Sequence, residues 1–145
     1  MGYDDYDEED LENQAKEHYN KIFLNFVKYV QSHWNSDLKF DSPYEELGFF
    51  GSPFYNNVFI MPSAYTLMAV VEKPFLVVKI EDIELISIER IDNKIKNFDL
   101  VIVFKDYTKP VQTINNIPKS NLSAIKEWIN NQDILFFEGG TINLK

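Results

Sequence analysis

The sequence predicts a mainly β domain with α content: a partly open orthogonal barrel of six or seven antiparallel strands, capped by a C-terminal helix and preceded by a long N-terminal helix. Three observations lead there. From Gly48 to Ile114 short apolar runs alternate with Pro-, Gly- and Asp-containing breaks, the rhythm of short strands and turns. Residues 10–34, "DLENQAKEHYNKIFLNFVKYVQSHW", instead repeat their apolar residues every three to four positions, as a helix does. A second, shorter helical pattern, "SNLSAIKEWINNQD", follows the last clear strand.

The elements follow in order. Residues 1–9 form an acidic segment and 10–35 a long amphipathic helix, with Leu11, Ala15, Ile22, Phe26 and Val30 on its stripe and Phe23, Val27 and Trp34 widening it. At 1.5 Å per residue the helix would be about 37 Å long. Asp7 to Asp10 at its start suit the exposed amides and the dipole. Residues 36–47 read as a linker by their Asn, Ser, Asp and Pro content, and 48–145 as the domain. Within it, Val58–Met61 and Tyr65–Val71 make a hairpin around Pro62-Ser63-Ala64, and Phe75–Ile80 resumes after Lys73-Pro74. In Ile83–Ile91, Ile83 and Leu85 point one way and Ile86 and Ile88 the other. A strand changes phase like this only through a bulge or burial on both faces, so a bulge or sharp bend is expected near Leu85–Ile86.

Phe98–Phe104 and Val111–Ile114 are the next two strands, joined by the charged turn "KDYTKP". Ser120 is the expected N-cap of the last helix, whose apolar face holds Leu122, Ile125, Trp128 and Ile129. Trp128 should plug the open end, and cutting back such a residue to Ala costs about 3–5 kcal/mol. The tail "ILFFEGGTINLK" offers one more strand. Architecture of this kind is shared by pleckstrin-homology domains, and it does not fix a function.

Composition narrows the chemistry. The 145 residues hold 45% hydrophobic side chains, 12 Phe and 8 Tyr, enough for a core, and no Cys, which removes disulfides, thiolate catalysis and cysteine-ligated zinc. No run approaches the roughly 20 apolar residues of a membrane helix. The net charge of −9 is concentrated: residues 1–12 hold seven acids, and all 14 bases lie beyond them, nearly balancing the remaining acids. Arg90 is the only arginine, so direct nucleic-acid binding is not expected; an acidic segment instead attracts basic proteins.

The catalytic patterns fail one by one. His18 and His33 stand fifteen residues apart on one helix and cannot share a metal. Glu45-Glu46 and the set Glu81, Asp82, Glu84 are sequence neighbours with no paired acid and base across a cleft. Ser52 in "GFFGSPF" lacks a G-x-S-x-G frame and a histidine in the β region, and "GFFG" lacks the Lys-Ser/Thr of a phosphate loop. The hairpin turn Pro62-Ser63-Ala64 carries no base for a phosphoinositide, with Lys73 and Lys79 isolated. No catalytic residue, metal site or cofactor is expected. Protein recognition remains, and the turn residues Lys105, Asp106, Tyr107 and Lys109 are the expected contact, by exposure.

Four strings carry a family resemblance: "ELGFFGSPFYNNVFIMPS", "KPFLVVKIEDIELISIERI", "IKNFDLVIVFKDYTKPVQTINNIP" and "TINL". Their order and spacing from Glu46 to Leu144 resemble the second half of the middle domain of the large subunit of the FACT histone chaperone, whose blocks read E/D-LGF-x-G-x-P, PPFLV, LERV and KNFD to KDF-x-KPV. Lys73 stands where the family has the first proline of its PPFLV block. The resemblance implies the second pleckstrin-homology-like module of that middle domain and a nuclear, chromatin-associated protein. Its partners would be core histones, chiefly the pair forming the central tetramer, met during nucleosome disassembly and reassembly in transcription and replication. The smaller FACT subunit would be held through parts of the full protein outside this chain. It implies no catalysis and no membrane. The alternative is a scaffolding module that braces a neighbouring pleckstrin-homology-like domain without touching histones.

Overall fold

Residues 4–33, 40–92 and 94–139 are described by the computed structural model, which divides into two compact units between Phe40 and Asp41. The first unit is helix α1, Asp4–His33. It begins inside the segment expected to precede it, and Trp34 lies outside the described residues. Early acids favour that longer start, because carboxylates near a helix N-terminus meet its positive end.

The second unit is built from two four-stranded layers, the first antiparallel and the second mixed, so that among the described residues eight strands stand where six or seven were expected and one of them, the last, is parallel to its neighbour. Strands β1 (Phe49–Gly51), β2 (Val58–Pro62), β3 (Thr66–Ala69) and β4 (Leu76–Lys79) form one sheet in sequence order. Strands β5 (Ile83–Glu89), β6 (Asn97–Phe104), β7 (Gln112–Pro118) and β8 (Leu135–Glu138) form the other, in the order β7-β6-β5-β8. Helix α2, Leu122–Asn131, comes between β7 and β8. The tail does supply a last strand, and α2 carries the chain back so that β8 runs parallel to β5, Leu85 opposite Leu135.

β1 was not among the expected strands. Just past its end, two backbone bonds to β7, Ser52 N to the Asn115 carbonyl at 2.8 Å and Asn115 N to the Ser52 carbonyl at 2.9 Å, link the sheets and close one side of the barrel. Both glycines of "GFFG" have a steric cause. A Cβ at Gly48 would fall 2.1 Å from the Phe59 ring, and one at Gly51 2.7 Å from Ile114 Cγ2. Ser52 and this loop are thus framework.

The expected bulge exists one step earlier, between Ile83 and Leu85, where Glu84 is the extra residue. Beyond it Ile86, Ser87 and Ile88 are all buried, so β5 is covered on both faces. A second irregularity sits between Phe98 and Leu100, opposite Asn115 and Asn116 on β7. Asn116 takes φ +58°, the left-handed conformation that Asn tolerates in bulges. Asp99 fills the gap. It accepts from Arg90 Nε at 2.5 Å, from an Arg90 terminal nitrogen at 2.8 Å and from Asn116 N–H at 3.0 Å. The chain's one arginine is therefore engaged in holding three strands together, and the hydrogen bonds it donates to Asp99 raise its pKa.

Inward residues of both sheets meet Ile125, Trp128, Ile129 and Ile134 in one core. Trp128 is where the sequence placed it. Ser120 is not the N-cap: Lys119–Asn121 form a 3-10 turn, Asn121 precedes α2, and no side chain caps the helix.

Candidate protein-binding surface

The turn after β6 holds all four expected contact residues, and it folds around one of them. Asp106 Oδ1 accepts from Thr108 N–H at 3.0 Å and from Thr108 Oγ1 at 2.6 Å. Lys109 N–H donates to the Asp106 carbonyl at 3.1 Å, closing a β-turn, and Lys105 N–H donates to the Asp82 carbonyl at 2.9 Å. Asp106 is thus occupied in shaping the turn, and the Thr108 bonds, with a smaller pull from Lys109, lower its pKa. Lys105, Tyr107 and Lys109 remain directed to solvent; Tyr107 is 77% exposed, and Lys109 Nζ stands 5.9 Å from the Phe104 ring centroid. Two cations and an exposed phenol on a stiffened turn can grip a partner by ion pairing and stacking.

The other titratable candidates are scattered. His33 Nδ1 lies 3.0 Å from the Tyr29 carbonyl with its ring stacked on Tyr29, and His18 sits further up the same exposed helix. Glu81 and Asp82 belong to the 3-10 turn between β4 and β5. Among the described residues no group of three His, Cys, Asp or Glu side chains could hold a metal ion. No described helix is long and apolar enough to cross a membrane.

Among the described residues, two concavities went unmarked by the sequence. One, about 380 Å³, lies at the Thr66–Lys79 end of the first sheet. The other, about 290 Å³, separates the 3-10 turn Glu45–Leu47 from α2. Ala124, Glu127 and Asn131 recur at helical spacing on its α2 side, which is legible. The opposite wall, Tyr44 and Leu47, comes from a stretch whose composition reads as linker.

The family model described as "histone chaperone Rttp106-like, middle domain" matches residues 50–138. Proteins named "FACT complex subunit SPT16" from Zea mays and Oryza sativa subsp. japonica are each 43% identical to this chain over 93% of its length, and the one from Dictyostelium discoideum is 40% identical over 93%. The chain spans 13% of the length of each of these relatives. The resemblance seen in the "ELGFFGSPF" and "KNFDLVIVFKDYTKPV" blocks is borne out, and since the matched region exceeds half of its residues, the chain belongs to the histone chaperone Rttp106-like middle-domain family.

Proposed function

We propose that this chain is the histone-binding module of a FACT-type histone chaperone. In this reading it acts in the nucleus, on chromatin, during nucleosome disassembly and reassembly in transcription and replication. It engages core histones, chiefly the pair forming the central tetramer, performs no catalytic step, and leaves contact with the smaller FACT subunit to other parts of the full protein. The observation that carries the reading is the family match over residues 50–138, joined by relatives named as FACT subunits. Lys105, Tyr107 and Lys109 on the β6–β7 turn are the proposed contact, with Asp106 as the residue that holds them in place.

Charge supports it. Histones are basic, the chain carries −9, and seven of its acids lie in the first twelve residues. Association built on such charge weakens as salt screens it. Titration against refolded histone complexes at two salt concentrations should give binding that falls as salt rises, and absence of binding at low salt would refute the reading. Deleting residues 1–12 should weaken binding where the acidic head takes part; equal affinity assigns the contact to the barrel.

One observation favours the scaffolding alternative. Tyr19, Phe23 and Phe26 on α1 are exposed, an aromatic stripe of the kind that braces a neighbouring domain. Self-association in sedimentation, abolished by Phe23→Ser with Phe26→Ser while histone binding stays unchanged, would support that role.

A further inference from the structure

The hollow between the 3-10 turn Glu45–Leu47 and α2 has a wall of Tyr44 and Leu47, a wall of Ala124, Glu127 and Asn131, and Trp128 among its lining residues. Trp128 is only 6% exposed, yet its indole N–H has no acceptor among the described residues. A buried donor left unpaired costs about 1–3 kcal/mol, so such a group calls for a partner.

The electrostatics of the hollow favour a cation. Glu127 lines it and the exposed Glu46 lies on the adjoining turn. Helix α2 ends here with no basic residue in its last turn, which leaves the negative end of the dipole uncompensated from within the helix. Lys126, the lysine of α2, is committed to Glu138 at 2.5 Å. Among the described lining residues there is no Lys, Arg or His.

We propose that this groove takes a basic peptide segment, and, resting on the histone-binding reading, that its source is a histone. A lysine or arginine of the segment places its charge beside Glu127 and the end of α2 and lays its aliphatic stem along Tyr44 and Leu47. Ala124, small and exposed, leaves the space for it. A main-chain carbonyl of the segment accepts from Trp128 Nε1. That atom is buried in the free protein, so this hydrogen bond forms only with a local rearrangement of the groove.

The indole proton reports on this directly. In a Trp34→Phe background Trp128 gives the single indole N–H resonance of the 15N-labelled chain. Adding a Lys/Arg-rich histone-tail peptide should shift that resonance, and the same peptide with every base replaced by Glu should leave it in place. Glu127→Lys should weaken peptide affinity roughly fivefold. Ala124→Trp, which fills the groove from an exposed position, should abolish binding. An unmoved indole together with unchanged affinity in both variants overturns the groove. The two readings fail separately: refolded histone complexes that bind wild type and both variants equally sink the groove and leave the histone reading standing. A basic peptide that shifts the indole while no histone complex binds at low salt leaves the groove and sinks its histone source.

Discussion

Two hairpin turns of this barrel are each organised by one aspartate, and they differ in how far away it sits. The β6–β7 turn carries its own: Asp106 binds Thr108, two residues on. The β2–β3 turn borrows one. Asp41 accepts from Ser63 Oγ, from Ala64 N–H at 3.2 Å and from Tyr65 N–H at 3.3 Å, across more than twenty residues of chain. Ser63 is fully buried, and its hydroxyl also meets Thr66 Oγ1 at 2.8 Å. The Tyr44 N–H, bonded to the Pro62 carbonyl at 2.8 Å, fixes the same stretch a second time. A local Asx turn stabilises itself and little else. A long-range one ties a segment that looks like linker to the sheet, and so makes it part of the domain.

The largest expected effect tests that difference. Asp41→Ala strips a charged acceptor from three donors, one of them on a buried side chain, and should lower stability by about 1–3 kcal/mol. Urea unfolding followed by tryptophan fluorescence should show an earlier midpoint at an unchanged slope. Asp106→Ala, on a fully exposed turn, should leave the midpoint close to that of wild type. If the two variants were equally mild, the distinction between a borrowed and a resident aspartate would collapse.

The same distinction explains what could be read from the residues alone. The rhythm of runs and breaks gave most strands, because inward and outward alternation is local. The phase break in "IELISI" located the Glu84 bulge to within a residue or two, for the same reason. The exposed "KDYTKP" turn was legible, since Asp-x-Thr acts within itself. Asp41 was not, because nothing in "KFDSPYEEL" states that Ser63 is its partner. β1 was hidden likewise. Its three residues become a strand through pairing with Val58–Ile60 and through the link from Ser52 to Asn115, while "GFFG" viewed locally suggests a loop. The cap of α2 misled in the opposite sense: Ser120 has the right chemistry, but the 3-10 turn over Lys119–Asn121 moves the helix start past it.

An intermediate effect separates binding from folding on the self-contained turn. Replacing Lys105, Tyr107 and Lys109 together by Ala removes its outward groups and leaves the Asp106–Thr108 bonds. The unfolding midpoint should hardly move, while histone affinity should fall up to about tenfold if this turn is the contact. Unchanged affinity would redirect the search for the contact to other surfaces of the chain. Asp41→Ala provides the converse control, since it destabilises the domain without touching the turn.

The smallest effect is a titration. Hydrogen bonds from the Thr108 side chain and backbone, then the charge of Lys109, hold the Asp106 pKa below its ordinary value of 3.8. A carboxylate depressed on folding contributes stability that is fully present above its unfolded pKa and is lost as pH falls through the folded one. The turn should therefore stay intact through neutral and mildly acid pH and loosen only below about pH 4. Carboxyl-carbon NMR should place the Asp106 midpoint under the ordinary aspartate value. Thr108→Ala, which deletes the strongest of the three causes, should bring it back further than Lys109→Ala does. The reverse ranking would mean that the turn is held by charge and not by its own hydrogen bonds, and that a partner's charges could reshape it.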